Sequence, residues 1–228
     1  MNPQLQDTIN AYWTDRAPEY DAYQQRPERR DLDRDAWVRV WSPALPPAPV
    51  DVLDVGTGSG HVACLLADLG HRVTGIDLAD GMLDIARGHA AASVRPPRIL
   101  AGDAVAPDFP PASYDAVVGR YVMWTLRDPD AAVASWVRLL RPGGVVAVVD
   151  STWFTDGLGN LYGDRPDATL PLADARTIDE TAEVLRRAGL ADVTVTPLEE
   201  VLELDRAHGV APGHDVQLQY LVSGRLAG

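Results

Sequence analysis

Three glycines at alternate positions, bracketed by two aspartates, are the residues of this chain whose types and spacing could do chemistry. Residues 51–77 read D-V-L-D-V-G-T-G-S-G-H-V-A-C-L-L-A-D-L-G-H-R-V-T-G-I-D. A buried apolar run, Val52 to Val55, leads into a turn holding Gly56, Gly58 and Gly60, then into a helical pattern from about His61 to Leu69. A second strand, Arg72 to Ile76, ends on Asp77. Glycine in such a turn permits positive backbone angles, lets a ligand lie against the main chain and lets elements pack closely. The following helix begins with free N–H groups beside that surface. An acid at the tip of the next strand can accept from both hydroxyls of a ribose. The unit therefore predicts an adenosine-containing ligand with Asp77 on its ribose.

Dehydrogenase dinucleotide sites use G-x-G-x-x-G, but here the third glycine, Gly60, falls one residue early and His61 stands where that motif takes Gly or Ala. With Asp54 two residues before Gly56, V-L-D-V-G-T-G-S-G resembles motif I of class I S-adenosylmethionine (SAM)-dependent methyltransferases. The stretch R-L-L-R-P-G-G-V-V-A-V-V-D, residues 138–150, is also typical of that family, and the resemblance covers about residues 50–150. It implies an α/β fold: a Rossmann-like seven-stranded sheet of order 3-2-1-4-5-7-6, last strand antiparallel, with helices on both faces and an N-terminal helical lid. Two other readings stay open, a SAM-binding protein that does not methylate and a nicotinamide oxidoreductase.

Composition removes several classes. The chain has 228 residues and a net charge of −13, which argues against nucleic-acid and anionic-membrane partners. All 20 of its Lys+Arg residues are arginines, so a Schiff-base enzyme, a pyridoxal-phosphate enzyme and a P-loop NTPase each lack their amine. No apolar run reaches the roughly 20 residues that span a bilayer, and no basic-then-apolar leader is present, so a soluble cytoplasmic protein is expected. Cys64, the single cysteine, reads as core, and the five histidines form no ligand-spaced cluster, so no metal is expected.

Toward the N-terminus, Leu5, Ile9, Tyr12, Trp13, Ala17 and Tyr20 share a helical face that Pro18 interrupts. The pattern predicts one helix to about Asp15 and a short second one from Pro18. Leu32, Ala36, Val40 and Trp41 mark a further amphipathic helix before a proline-rich stop. Residues 1–45 thus read as a helical lid or cap and 46–228 as the SAM-binding domain, one compact unit. The N-terminal aromatics either close a site or form a dimer surface, leaving monomer and homodimer both open.

After Asp77 come a helix from Asp80, a strand at Arg98 to Leu100, a strand from Tyr114 to Val118, a helix from Pro129 and a strand from Val145 to Val149. Residues 151–176 lack a period and leave the ligand-binding edge of the sheet, so they read as a substrate cover. A helix capped by Thr177, boxed by Glu180 and stopped by Gly189 follows. Ala191 to Pro197 and Val216 to Val222 are read as an antiparallel hairpin, with His208 and His214 in the loop between them.

The resemblance assigns SAM, with product S-adenosylhomocysteine (SAH), to Asp54, Gly56, Thr57, Gly58, Gly60, Asp77, Leu78, Met82, Asp103 and Ala104. In the family a methionine at the place of Met82 packs on the adenine, an acid at the place of Asp103 accepts from its amino group, and an N-terminal tyrosine, here Tyr12 or Tyr20, closes over the methionine carboxylate. Arg120 is read as a partner for that carboxylate, for a substrate anion, or for a structural acid. Tyr121, Trp124, Trp153, Phe154 and Tyr162 are the candidate substrate walls. Neither an N/D-P-P-Y/F signature nor a metal-binding carboxylate follows the fourth strand, so the resemblance implies a small-molecule acceptor with an O, N or C nucleophile, in secondary metabolism or quinone-like biosynthesis. Methyl transfer needs alignment and dryness more than a triad; where a base is needed, Asp150, His208 and His214 are the candidates.

Overall fold

Runs of Val, Ile and Leu bounded by Gly and Asp become strands, and the amphipathic stretches between them become helices. The computed structural model of the chain describes residues 3–154, 157–159, 161–162, 170–211 and 215–228. The N-terminal helices are α1 (Pro3–Gln24) and α2 (Pro27–Ala44). There follow β1 (Asp51–Val55), α3 (His61–Asp68), β2 (Arg72–Asp77), α4 (Asp80–Ala92), β3 (Arg98–Ala101) and β4 (Tyr114–Arg120). The second half carries α5 (Pro129–Leu139), β5 (Leu140–Asp150), α6 (Asp179–Arg187), β6 (Ala191–Pro197), α7 (Glu199–His208) and β7 (Tyr220–Arg225). The sheet order is β3-β2-β1-β4-β5-β7-β6, and β7 is antiparallel to both of its neighbours. This is the topology that the motifs imply.

Alternation along β5 shows how the two faces are built. Val146 and Val148 turn toward a core shared with Trp136 of α5 and Leu185 of α6. Val145, Ala147 and Val149 turn the other way, into a core shared with Trp41 of α2, Leu66 of α3 and Val201 of α7. Strands buried on both faces read as near-continuous apolar runs, which is why they are plain in the sequence.

Several local readings are corrected. α1 does not break at Pro18 but runs through it. Proline removes the N–H that would bond the Thr14 carbonyl, and α4 covers that turn so closely that a Cβ on Gly81 would lie 2.5 Å from the Thr14 oxygen. Gly81 N–H also points to Thr14 Oγ1 at 3.4 Å, and Ala17 packs against Met82. Tertiary packing overrides the local breaker.

In α2 the buried face is Arg29, Asp33, Ala36, Trp37 and Trp41, whereas Leu32 is 47% exposed. The face begins with charges that apolar periodicity cannot register. At α6 the helix starts at Asp179 with no side-chain cap from Thr177. Glu180 supplies its half of the expected box, accepting from Arg176 N–H at 2.7 Å and Thr177 N–H at 3.4 Å. The expected terminal hairpin is two antiparallel neighbours separated by α7, and β7 starts at Tyr220 instead of Val216.

Two alanine substitutions in α4 should differ in sign. Gly81→Ala puts a methyl into the Thr14 backbone and should destabilise by about 1–3 kcal/mol, as overpacking does. Gly88→Ala, at an exposed position with nothing within 4 Å of the new Cβ, should stabilise by about 0.5–1 kcal/mol. Denaturant unfolding of both variants checks the pair.

Candidate functional site

The glycine turn is held by its two aspartates before any ligand is considered. Asp54 is 1% exposed at the end of β1 and accepts from Thr57 Oγ1 at 2.7 Å. Asp77, at the tip of β2, accepts from Gly58 N–H and Ala79 N–H, both at 2.9 Å. Gly56 has φ +62°, and a Cβ there would strike Val122 at 2.5 Å. Gly58 has φ +54° and open space on that side apart from Met82 Sδ at 3.9 Å. One glycine admits the neighbouring loop and the other leaves bare backbone facing the cleft. Gly60 packs on Ala86 of α4.

Above this turn lies an open cleft whose empty space, open solvent included, is about 960 Å³. Asp54, Gly56, Thr57, Gly58, Asp77 and Leu78 line one end of the predicted set, and Met82, Asp103, Ala104, Arg120 and Tyr20 complete it. Two members are not in the lining. Gly60 is taken up by helix packing, and Tyr12 stands edge-on to Trp13 and Tyr162 at 5.3 and 5.1 Å. Its neighbour Trp13 lines the cleft in its place. Asp103 pairs with Arg127 at 2.6 Å and accepts from Val105 N–H at 2.8 Å.

A second cavity, also open to solvent, lies beside the first. Rings from Trp13, Tyr20, Tyr23, Trp37, Tyr121, Trp124 and Trp153 line it. Of the predicted substrate walls, Tyr121, Trp124 and Trp153 are therefore present. Phe154 and Tyr162 instead support Trp124 from behind, with ring centroids at 5.0 and 6.2 Å.

The far wall of this cavity is a buried polar network. Arg29 binds Asp33 and Asp205 at 2.6 Å each, and Gln219 links Asp205 to the Tyr121 hydroxyl at 2.8 and 2.5 Å. Arg120 is different. Its guanidinium lies 4.9 Å from the ring centroids of both Trp37 and Tyr121, and among the described residues it makes no hydrogen bond or ion pair. Of its three sequence readings, the structural salt bridge is not made among the described residues.

The candidate bases fare unevenly. Asp150 is 1% exposed at the tip of β5 and lines neither cavity. Its carboxylate accepts from Ser151 N–H at 2.9 Å, Trp124 N–H at 3.3 Å and the Trp153 indole, so it braces the aromatic wall. His208 closes the last turn of α7, away from both cavities, instead of lying in a loop. His214 lies outside the described residues, as do 155–156, 160 and 163–169 of the predicted substrate cover.

Sequence reasoning missed Gln24, Arg29, Asp33, Trp37, His61, Asp205 and Gln219, all of which line the second cavity. His61 had a signal, since it follows the third glycine and opens α3. The others come from helices α1, α2 and α7 and from the lead into β7, whose placement no local pattern shows.

A family model described as a methyltransferase domain matches residues 53–148. A ubiquinone biosynthesis O-methyltransferase of Paracidovorax citrulli is 40% identical over 193 residues, covering 77% of this chain and 76% of that protein. A demethylmenaquinone methyltransferase of Renibacterium salmoninarum is 32% identical over 211 residues, covering 82% and 86%. Against three other relatives the match covers 58%, 50% and 40% of their length, so there the chain spans about half of the protein it resembles. Among solved structures, a possible histamine N-methyltransferase of Thermotoga maritima superposes with TM-score 0.64 at 18% identity, covering 94% of this chain and 98% of that one. The cyclase SpnF also reaches 0.64, at 20% identity and covering 85% and 80%. At such identities the likeness is one of fold.

Burial pushes the Asp54 and Asp150 carboxyls up to about 7, against an ordinary value near 3.9. A raised folded-state pKa favours the protonated form, so this contribution is whole below about pH 4 and is lost as pH rises through about 7. Stability should therefore fall across that interval, and Asp54→Asn should remove roughly half of the fall. Unfolding midpoints measured every half pH unit check the slope.

Proposed function

Because the chain belongs to the class I SAM-dependent methyltransferases, we propose that it moves the methyl group of SAM to a small planar acceptor held in the aromatic cavity. The observation that carries this reading is the junction of two cavities. One lies on the glycine turn and the strand-tip acids, the other is walled by rings, and they share Trp13, Tyr20, Gln24, His61, Arg120 and Tyr121.

The residues present suit SAM. Asp77 lies at the lip of a turn whose Gly58 leaves backbone open to the cleft, the place a ribose requires. Asp103 and Ala104 line the same cleft for the base, Met82 offers a thioether for its flat face, and Gln24 and Ser59 meet at 3.1 Å beside the turn. When bound, SAM supplies an electrophilic methyl on a sulfonium and departs as a neutral thioether. The task of the chain is then to align the acceptor and exclude water. Tyr121, Trp124 and Trp153 do both: they offer flat apolar faces and occupy volume that water would otherwise fill.

A ring-shaped acceptor agrees with the relatives, whose names place them in ubiquinone and menaquinone synthesis, and supports a quinone-like or secondary-metabolite substrate. α1 and α2 act as the cover of the site, since they supply Trp13, Tyr20, Gln24 and Trp37 to its walls.

Calorimetric titration with SAM, SAH and NAD tests the reading. Both sulfur ligands should bind, NAD should not, and Asp77→Asn should weaken SAM by roughly tenfold or more through loss of charge-assisted hydrogen bonds. Absence of binding to SAM and SAH overturns the proposal, and binding without SAH formation on any aromatic acceptor supports a non-methylating enzyme instead.

A further inference from the structure

Arg127 follows the turn after β4 with only 13% of its side chain exposed, an enclosed place for a guanidinium. Exposed ion pairs contribute little, but a cation that has left water requires its partner. Arg127 Nη2 donates to Asp103 Oδ2 at 2.6 Å, and its Nε is closed off with no hydrogen bond among the described residues. The acids that follow Arg127 in the chain are engaged elsewhere. Asp128 caps α5 by accepting from Ala131 N–H at 2.9 Å, and Asp130 holds Arg187 at 2.8 Å. Asp103 is thus the acid that answers Arg127 among the described residues.

Seen from Asp103, two contacts hold one carboxylate. Oδ1 accepts from Val105 N–H at 2.8 Å, and Oδ2 accepts from Arg127. A single contact would let the group turn about its side-chain bonds, whereas one contact on each oxygen fixes its plane. A carboxylate oxygen has a second lone pair, so a group held in this way can still accept from a ligand. Arg127 itself lines neither cavity. Thr125 and Leu126, just before it, do line the cleft, as do Gly102, Asp103, Ala104 and Val105 beyond the end of β3. The guanidinium therefore meets the carboxylate from outside the wall and reaches a ligand only through it.

A fixed acceptor on a cleft wall selects for a donor. A base with an amino group there completes the carboxylate, and the same base without it leaves a desolvated acceptor facing nothing. Resting on the reading of this cleft as the SAM site, we propose that Arg127 is a positioning residue for cofactor selection: it fixes the second oxygen of Asp103 and so aims the carboxylate at the amino group of the bound purine. Held by Val105 N–H alone, the carboxylate would sweep a wider arc and meet that amine for a smaller share of the time. Much of the preference for an amino-bearing base then passes through a residue that never touches it.

The test is calorimetric titration of the intact protein with SAH and with its purine analogue, in which hydrogen replaces the amino group of the base. Wild type should bind SAH roughly tenfold or more tightly than the analogue, the worth of a hydrogen bond to a charged group. Arg127→Met, which keeps an unbranched chain without the cation, should bring that ratio within about threefold, chiefly by weakening SAH. Asp103→Ala should lower the ratio to the same level. Adding Arg127→Met to it should change the ratio no further, because a residue that acts through Asp103 then has nothing to act on. A role in stability alone would weaken both ligands together and leave the ratio at its wild-type value.

The proposal is overturned if wild type binds the two ligands alike, a result that needs no variant. It is overturned as well if Arg127→Met keeps the wild-type ratio, or if the effects of the two substitutions on the ratio add. These outcomes leave the methyltransferase reading standing, which fails only if the wild type binds neither SAM nor SAH.

Discussion

A guanidinium with 4% exposure is tolerable only if its charge and its N–H groups are met, and Arg29 imposes that demand on much of this molecule. Its partners come from three places: Asp33 one turn on in α2, Asp205 in α7, and the Tyr23 hydroxyl at the end of α1, with the Gly209 carbonyl completing the set. Asp205 passes the constraint through Gln219 to Tyr121 at the tip of β4. Breaking one member would leave a buried charge uncompensated, which is far costlier than the pair's own net worth. The positions of α2, α7 and the lead into β7 are thereby tied to one another, and these are the elements that give the aromatic cavity its far wall.

A second constraint seats α1. Pro18 frees the Thr14 carbonyl, Gly81 lets α4 approach it, and Ala17 and Met82 fill the contact. Trp13, Tyr20 and Gln24 reach the cleft because the helix continues through the proline: a break there would rotate Tyr20 and Gln24 away from Trp13. The same seating places Trp13 against Trp124 at 6.1 Å and lets its indole donate to the Tyr162 hydroxyl at 3.2 Å. The aromatic wall is thus one packed cluster drawn from α1, the turn after β4 and the segment after β5.

Electrostatically, the acids at the strand ends divide their labour. Asp54 and Asp150 are deeply buried and serve as acceptors for the turns that follow their strands. Asp77 lies in the open cleft, braced by two backbone N–H groups that also oppose the upward push of burial on its pKa. Arg120 makes no ion pair among the described residues, although its charge acts on Asp54 and Asp205, and it stands where the cleft and the aromatic cavity join.

What the sequence determined by itself is the parallel half of the sheet and the turn upon it. Strands buried on both faces are continuous apolar runs, and a turn that needs positive φ at Gly56 and Gly58 must write glycine there, so both are local facts recorded in local residues. The same holds for Asp54 and Asp77, whose partners are only 3 and 19 residues away. What only the tertiary structure decided is the acceptor cavity. Asp205 meets Arg29 across 176 residues and Gln219 meets Tyr121 across 98. A buried face that starts with Arg29 and Asp33 looks like a solvated one in sequence, and Pro18 looks like a helix end. Charge becomes core, and proline stays within a helix, only when another element supplies the missing partner, and no periodicity in the chain records which element that will be.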